Sequence, residues 1–398
     1  SGLIFQFIRI FLFVFSRFSF FKKSSTTHND IIVFAETINQ WSSLETTLNS
    51  LQNKDIKVQL IADNNILDLI TPKNKLVMQS VNFSLEDVFI GFFILIYRLR
   101  WLYIRLNSID SRLITHRFSS FLSIYFWLAY FIRLLEKSNP KIVLLSNDHN
   151  SATRSLLMVA KLYNVRTSYL QHAAVSNRFH ALDFDYSFLD GQHALEIYRS
   201  CEGNSSPFLS RPKERHIFLS GVKRNVNIYQ SSSKCFKIGL AIKDADDIEE
   251  IINCLTYFNQ FVVKSVSIRP HPSMKLNNLK KQILNLGLSS TKVEFSDSRI
   301  EPLANYLKNV KCVISSNSSI LLEAALARKI SIYYEFGDVV LHDYYGFVAA
   351  GISEIAHCPA DVLKIIENKT TSEKDKSAAK YYSHTFGTKW EGQEGSLV

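Results

Sequence analysis

Residues 311–329 read KCVISSNSSILLEAALARK, and this stretch decides the fold. A short apolar run, Cys312-Val313-Ile314, stops at Ser315-Ser316-Asn317-Ser318-Ser319, and a strong helix former begins at once. A continuous apolar run suits a strand buried on both faces, and a serine or asparagine at the start of a helix is a cap. The stretch is therefore strand, tight turn, helix. A first helical turn leaves N–H groups unpaired and carries a partial positive charge. Hydroxyls gathered there complete a site for phosphate; the plainer alternative is a serine-rich cap in an α/β domain. A second anion-binding pattern lies upstream in Arg269-Pro270-His271-Pro272-Ser273. Proline fixes its own φ and restricts its predecessor, so Pro270 and Pro272 hold this loop extended and stiff. A stiff loop at a strand end aims the Arg269 guanidinium and the His271 imidazole at one place. Charge-assisted bonds from such groups to phosphate contribute roughly 1.5–3 kcal/mol each.

Working outward, the alternation of strand and helix continues in both directions. Downstream, 330–334 is a strand, 335–346 a polar-aromatic loop and 360–368 a helix, with a last helix at 374–384. Upstream, strands are expected at 236–241, 262–268 and 292–295, with helices at 246–258, 275–286 and 302–308. The polar, serine-rich stretch 221–234 is a linker. Before it the rhythm repeats: strands at 31–35, 58–62, 75–79, 142–145, 167–170, 185–189 and 216–220, with helices at 41–51, 152–163 and 194–200. Two similar α/β halves place a cleft between them. The expected boundaries are 1–29, 30–222, 235–370 and 371–398.

In open α/β sheets, residues just past the strand carboxyl ends face the ligand crevice. Glu36 stands there after the first strand, Asp148 and His149 after the strand at 142–145, and Gln171 and His172 after the next. Two Asp-x-Asp sequences, Asp183-Phe184-Asp185 and Asp244-Ala245-Asp246, mimic a metal motif. Asp246 reads as a helix start and the other pair lies beside a strand, so no divalent metal and no cofactor are expected.

Of the 398 residues, 46% are hydrophobic and 21% charged, which are globular values and exclude wholesale disorder. A net charge of +10 and a pI near 9.2 point to an anionic partner: nucleic acid, nucleotide or an anionic membrane face. With neither zinc-finger spacing nor an aromatic-basic RNA-binding signature, nucleic acid is set aside. Five scattered cysteines without a CxxC pair indicate a reducing compartment.

Two stretches break the α/β rhythm. Residues 3–21, LIFQFIRIFLFVFSRFSFF, are interrupted by Gln6, Arg9 and Arg17. Their longest uncharged apolar run falls far short of the roughly 20 residues that span a bilayer, so an interfacial helix is expected, against a helix packed on the domain. Residues 83–105 are apolar, aromatic and basic together, with Arg98, Arg100 and Arg105 beside Trp101 and Tyr103. That mix suits a membrane interface; the alternative is a core helix whose arginines snorkel. A second long helix is expected near 119–137.

Arg-Pro-His-Pro after a strand, then Ser-Ser before a helix carrying Glu323 and Ala324-Ala325, resembles the C-terminal domain of bacterial GT-B glycosyltransferases. It is most similar to the CMP-sugar enzymes, the sialyltransferases and Kdo transferases, which share an HP motif and a paired-serine motif on the donor phosphate. The resemblance implies an α/β fold of GT-B type, with two Rossmann-like domains facing a central cleft. It implies metal-independent, inverting transfer of an acidic sugar from a CMP-activated donor to a surface-polysaccharide or lipopolysaccharide acceptor. Arg269, His271, Pro272, Ser315, Ser316, Ser318 and Ser319 would hold the donor, and Glu323 its ribose. Glu36 resembles the catalytic Glu position of the Kdo transferases; Asp148 with His149, and His172, are the other candidates for the base. Gln171-His172 and the serine cluster also resemble CDP-glycerol-dependent glycerophosphotransferases, which supply the alternative, together with other nucleotide-sugar transferases or epimerases of this fold. Such an enzyme would meet a saccharide or lipid-linked acceptor at the anionic cytoplasmic face of the inner membrane, as a peripheral protein.

Overall fold

The computed structural model describes residues 2–19, 29–52, 56–68, 70, 76–204, 214–221, 237–261, 263–272, 274, 276–338 and 341–368. The expected last helix at 374–384, Ser273 and nearly all of the linker at 221–234 lie outside the described residues. The chain separates into two units. The first comprises Ser1–His172, Arg178–Leu189 and Tyr198–Phe218; the second comprises Ala173–Asn177, Asp190–Ile197 and Leu219–Val398.

The first unit begins with α1 (Gly2–Arg17), β1 (Ile31–Ala35), α2 (Ile38–Gln52), β2 (Val58–Ala62), α3 (Asn64–Leu67) and β3 (Val77–Ser80). Three helices follow, α4 (Leu85–Ile109), α5 (Arg112–His116) and α6 (Phe118–Ser138). Then come β4 (Ile142–Leu145), α7 (Ser151–Leu162), β5 (Arg166–Leu170), β6 (Tyr186–Leu189), α8 (Gln192–Ser200) and β7 (His216–Leu219). Part of α8 belongs to the second unit. The seven strands form one sheet in the order β3-β2-β1-β4-β5-β6-β7, parallel from β3 through β6. Every residue of β1 and β2 is buried, as in a sheet covered on both faces. Ile31, Val33 and Ala35 pack with Trp41, Leu44 and Leu48 of α2. Phe34 points the other way, edge-on to Trp127 and Phe131 of α6.

Helix α4 is fastened at its start. Ser84 and Asp87 form a reciprocal capping box, and the Asp87 carboxylate also meets Arg133 of α6 at 2.6 Å with both side chains sequestered. One turn on, Gly91 lets α4 approach α6, since a Cβ there would lie 2.6 Å from Phe126 Cδ1.

The second unit runs β8 (Lys237–Ile242), α9 (Ile248–Gln260), β9 (Ser265–Pro270), α10 (Leu276–Leu284), β10 (Lys292–Phe295), α11 (Leu303–Lys308), β11 (Cys312–Ser315), α12 (Ile320–Leu326), β12 (Ile330–Tyr334), β13 (Glu354–Ala356) and α13 (Pro359–Asn368). Its six strands are all parallel, in the order β10-β9-β8-β11-β12-β13. One face of this sheet is closed by Ile251, Leu255 and Phe258 of α9 with Val362 of α13. A separate cluster joins Ala241 and Val313 to Tyr306, Leu307 and Ala324. The strand β13 is three residues long and lacks the apolar run that marks its neighbours in sequence.

Both sheets share one topology. The order reverses between β1 and β4 in the first unit and between β8 and β11 in the second. Ligands of such sheets lie outside the strand carboxyl ends at that reversal.

Candidate functional site

In the first unit the reversal is occupied by Glu36, one residue past β1, and by Asp148-His149-Asn150, just past β4. The Glu36 amide donates to Gln40 Oε1 at 2.7 Å, which fixes the backbone of the turn. Asn150 Nδ2 donates to Glu36 Oε2. Its Oδ1 accepts from the Thr153 amide at 2.8 Å and the Thr153 hydroxyl at 2.7 Å, capping α7. Asp63, one residue past β2, pairs with Arg17 at 2.6 Å. Burial, and next the Asp63 charge, push the Glu36 carboxyl up to about 7; Arg17 and the Asn150 hydrogen bond pull the other way. Glu36 therefore exchanges its proton near neutrality.

Asp148 is fully buried behind the loop. Burial pushes its carboxyl up to about 6, with Arg154 and His180 opposing and Asp183 reinforcing. Arg154, on α7, lies 3.9 Å from the equally buried Asp183. Among the described residues, neither carboxylate accepts a hydrogen bond. His149 Nδ1 stands 3.1 Å from Asp148 Oδ1, and the ring rests 4.0 Å from Phe179 and 6.5 Å from His180. Burial, then the charges of His180 and Arg154, hold the His149 imidazole down at about 4, so it is neutral at pH 7. The next strand end carries Gln171, buried, and His172, half-buried. The sequence brings Glu36, Asp148 and His149 together by topology alone. It gave no sign of Arg154 or His180 and marked Asp183 only as part of an Asp-x-Asp sequence; Asn150 was legible only as a helix cap after His149.

In the second unit the reversal is the turn between β11 and α12, beside the end of β8. Ser315 Oγ donates to the Ala241 carbonyl at 2.7 Å, and Ser316 Oγ to Asp246 Oδ1 at 2.6 Å. These two hydroxyls stitch the turn to β8 and to the loop that follows it. Asn317 Nδ2 donates to the Leu341 carbonyl at 2.6 Å, and its Oδ1 accepts from the Tyr344 amide at 2.8 Å. Ser319 has helical geometry and makes no side-chain cap; Ser318 Oγ instead accepts from the Ile320 amide at 3.5 Å, and α12 runs for seven residues. Ser318 and Ser319 are half-buried, and Glu323 is buried on α12.

Arg269 turns inward. Its guanidinium donates to Ser296 Oγ at 2.7 Å and the Glu301 carbonyl at 2.9 Å and lies 5.1 Å from the centre of the Tyr306 ring. The guanidinium serves the packing of β9 on its neighbours. His271 and Pro272 follow at the exposed end of the same strand, where the His271 amide donates to the Ile242 carbonyl at 2.7 Å. Burial lowers the His271 pKa, with Lys243 adding to that and Asp244 opposing. Lys243 itself bonds the Asn317 carbonyl at 3.2 Å. A cation thus sits between His271 and the serine turn, unmarked in the sequence because it merely ends an apolar run.

One reading of a carboxylate is corrected and another stands. Asp247, not Asp246, caps α9 by accepting from the Glu249 amide; Asp246 accepts from the Lys243 amide and Ser316. Asp185 accepts from the amide and hydroxyl of Thr167, each at 2.7 Å, which ties the residue before β6 to β5. Sequence reasoning also passed over Glu335 and His342. Glu335 Oε1 accepts from Tyr333 Oη and meets His342 Nδ1, both at 2.7 Å, just past β12.

No protein-family model matches the chain, and no curated protein matches it. Solved structures do. The UDP-GlcNAc 2-epimerase of Methanocaldococcus jannaschii, in complex with UDP-GlcNAc and UDP, is similar over 92% of this chain and 97% of its own, with a TM-score of 0.56 at 13% identity. The Staphylococcus aureus MnaA–UDP structure matches 93% of this chain and 94% of its own, with the same TM-score and identity. The Neisseria meningitidis UDP-GlcNAc 2-epimerase bound to UDP-GlcNAc gives 0.54 at 13%, over 92% and 97%. The likeness is one of fold. The chain has two parallel-sheet Rossmann-like domains of the GT-B type, the architecture of these nucleotide-sugar enzymes.

Proposed function

We propose that this chain is an enzyme acting on a nucleotide-activated sugar, with the nucleotide held by the second unit and proton transfer supplied by the first. The observation that carries it is Glu36: a carboxyl at a topological switch point, held in place by Asn150 and pushed up to about 7. Groups tuned in this way cluster at functional sites. The comparisons favour a UDP-sugar over the CMP-sugar expected from the motifs, since the similar structures hold UDP and UDP-GlcNAc. The HP and paired-serine motifs address phosphate, which both nucleotides share, so they do not choose between the bases.

In glycosyl transfer, the acceptor oxygen bonds to the anomeric carbon as the bond to phosphate breaks. Glu36 takes the hydroxyl proton, and the electron pair leaves on phosphate. Lys243 and a ring N–H of the His271 imidazole meet that charge, so no divalent ion is required. Epimerisation is the second reading, favoured by the three similar structures. It needs one group to remove a proton from carbon and another to return one, and Glu36 would supply one of the two.

Thermal shift of the purified chain against UDP, UDP-GlcNAc, CDP, CMP and GDP tests the proposal. Binding at a hundredfold excess over Kd stabilises by about 2.7 kcal/mol, and UDP and UDP-GlcNAc are expected to give this shift. His271→Ala and Lys243→Ala are expected to lose most of it. A response to CMP alone would restore the CMP-sugar donor, and no response to any nucleotide would overturn the proposal.

A further inference from the structure

Helix α1 is apolar on nearly every side, yet it buries only the stripe Gln6, Ile10 and Val14. Its other large side chains face outward: Phe11 and Phe15 are 61% and 68% exposed. Helix α4 repeats the pattern with a buried stripe of Asp87, Gly91, Leu95, Leu102 and Leu106. Phe93, Ile96, Tyr97 and Trp101 stand 54–75% exposed on its outer side. Soluble monomers rarely leave apolar surface of this extent uncovered. Both helices pack against α5 and α6. Phe118 meets Phe7 of α1 at 6.0 Å and Tyr103 of α4 at 6.3 Å, while the Phe83 amide just before α4 donates to the Arg17 carbonyl at the end of α1. The two helices therefore run antiparallel along α6, each with its outer face open.

Apart from the exposed Glu86 in the first turn of α4, the charges on these faces have one sign. Arg9, Arg98, Arg100 and Arg105 are all exposed. The acids of α4 are confined to its first turn, where Asp87 is buried against Arg133. Arg9 lies 5.4 Å from the centre of the Phe5 ring and Arg98 5.2 Å from that of Tyr97, an arrangement that leaves rings free to enter an apolar layer while cations stay at its edge. Neither helix is suited to crossing a bilayer. The 16 residues of α1 reach about 24 Å, short of a hydrocarbon core of about 30 Å, and α4 carries three arginines in its second half and has one side fixed to α6. Among the described residues, α6 alone is long and apolar enough, but 56% of its apolar window is buried inside the unit.

We propose that the outward faces of α1 and α4 form a docking surface for an anionic lipid bilayer, lying in the headgroup region with aromatics inserted and arginines against lipid phosphates. This is independent of the sugar chemistry and stands or falls separately from it.

Flotation of the full chain with phosphatidylcholine vesicles, with and without phosphatidylglycerol, is the test. The chain is expected to float with the anionic vesicles and to release as salt is raised. Combined Arg98→Glu, Arg100→Glu and Arg105→Glu substitutions are expected to weaken partitioning about a hundredfold or more. Quenching of Trp101 fluorescence by brominated lipid, absent in Trp101→Phe, reads insertion without depending on how the charge variant folds. A parent that does not float, an arginine variant that floats equally well, or a parent that self-associates through this face and ignores vesicles would each overturn the proposal.

Discussion

Asn150 ties β1 to β4 across the reversal of the first sheet, donating to Glu36 from the strand end where its own Oδ1 starts α7. One side chain thus positions the candidate acid–base group and nucleates the neighbouring helix. A carboxyl fixed in this way loses hydration without losing its orientation, which is the condition for a base poised near neutrality.

Glu36→Gln is expected to lower turnover of the nucleotide sugar by about 10²–10⁴-fold with nucleotide binding retained. In the parent, activity should rise with pH through an apparent pKa near 7, because the base must be unprotonated. Steady-state kinetics across pH 5–9, beside nucleotide titrations of both proteins, check the pair of expectations.

The same carboxyl fixes a sign for stability. Its folded value of about 7 exceeds the ordinary 4.5, so between these the folded chain holds a proton that the unfolded chain has released. Its stabilising contribution is full below about 4.5 and is lost as pH rises to about 7. Glu36→Gln should therefore leave stability nearly unchanged at acid pH and raise it above pH 7, by up to about 3 kcal/mol. Urea unfolding at two pH values measures the difference, and equal effects at both would contradict the assigned burial.

Asn150→Ala removes a bond that favours the charged form of Glu36 and also removes a helix cap. The activity limb should move to higher pH. Stability should fall by about 1 kcal/mol, the usual cost of a lost cap. Asn150→Asp preserves the cap but places an anion beside Glu36, and its limb should move further.

Breaking the Asp87–Arg133 pair leaves a charge stranded under α4. Arg133→Ala is expected to cost about 3–5 kcal/mol, whereas the exposed Arg112→Ala should cost less than about 1 kcal/mol. Denaturant midpoints of the two variants give the comparison directly.

Much of the fold was legible because its strands are buried on both faces. Runs such as Ile31-Ile32-Val33-Phe34-Ala35 and Cys312-Val313-Ile314 have no polar alternation to confuse with an exposed edge. The three residues of β13 carry no such run and were missed. Glu36 and Asp148 were legible as strand-end residues. Their relation to Asn150, Arg154 and Asp183 was not, since it depends on which strands neighbour in space. The second site shows the limit of motif reading: Arg269, Ser315 and Ser316 have the right chemistry for phosphate, but the structure turns all three into the scaffold. Lys243 takes up a position no motif announced.

The central claim is that Glu36 moves a proton on a nucleotide sugar. Proton NMR of UDP-GlcNAc incubated in D2O with the parent chain and with Glu36→Gln, alone and with saccharide acceptors, tests it most directly. The account predicts that the parent consumes the nucleotide sugar, releasing UDP on transfer or exchanging a sugar C–H for deuterium on epimerisation, and that Glu36→Gln binds it but leaves it unchanged. Equal consumption by both proteins would contradict the account.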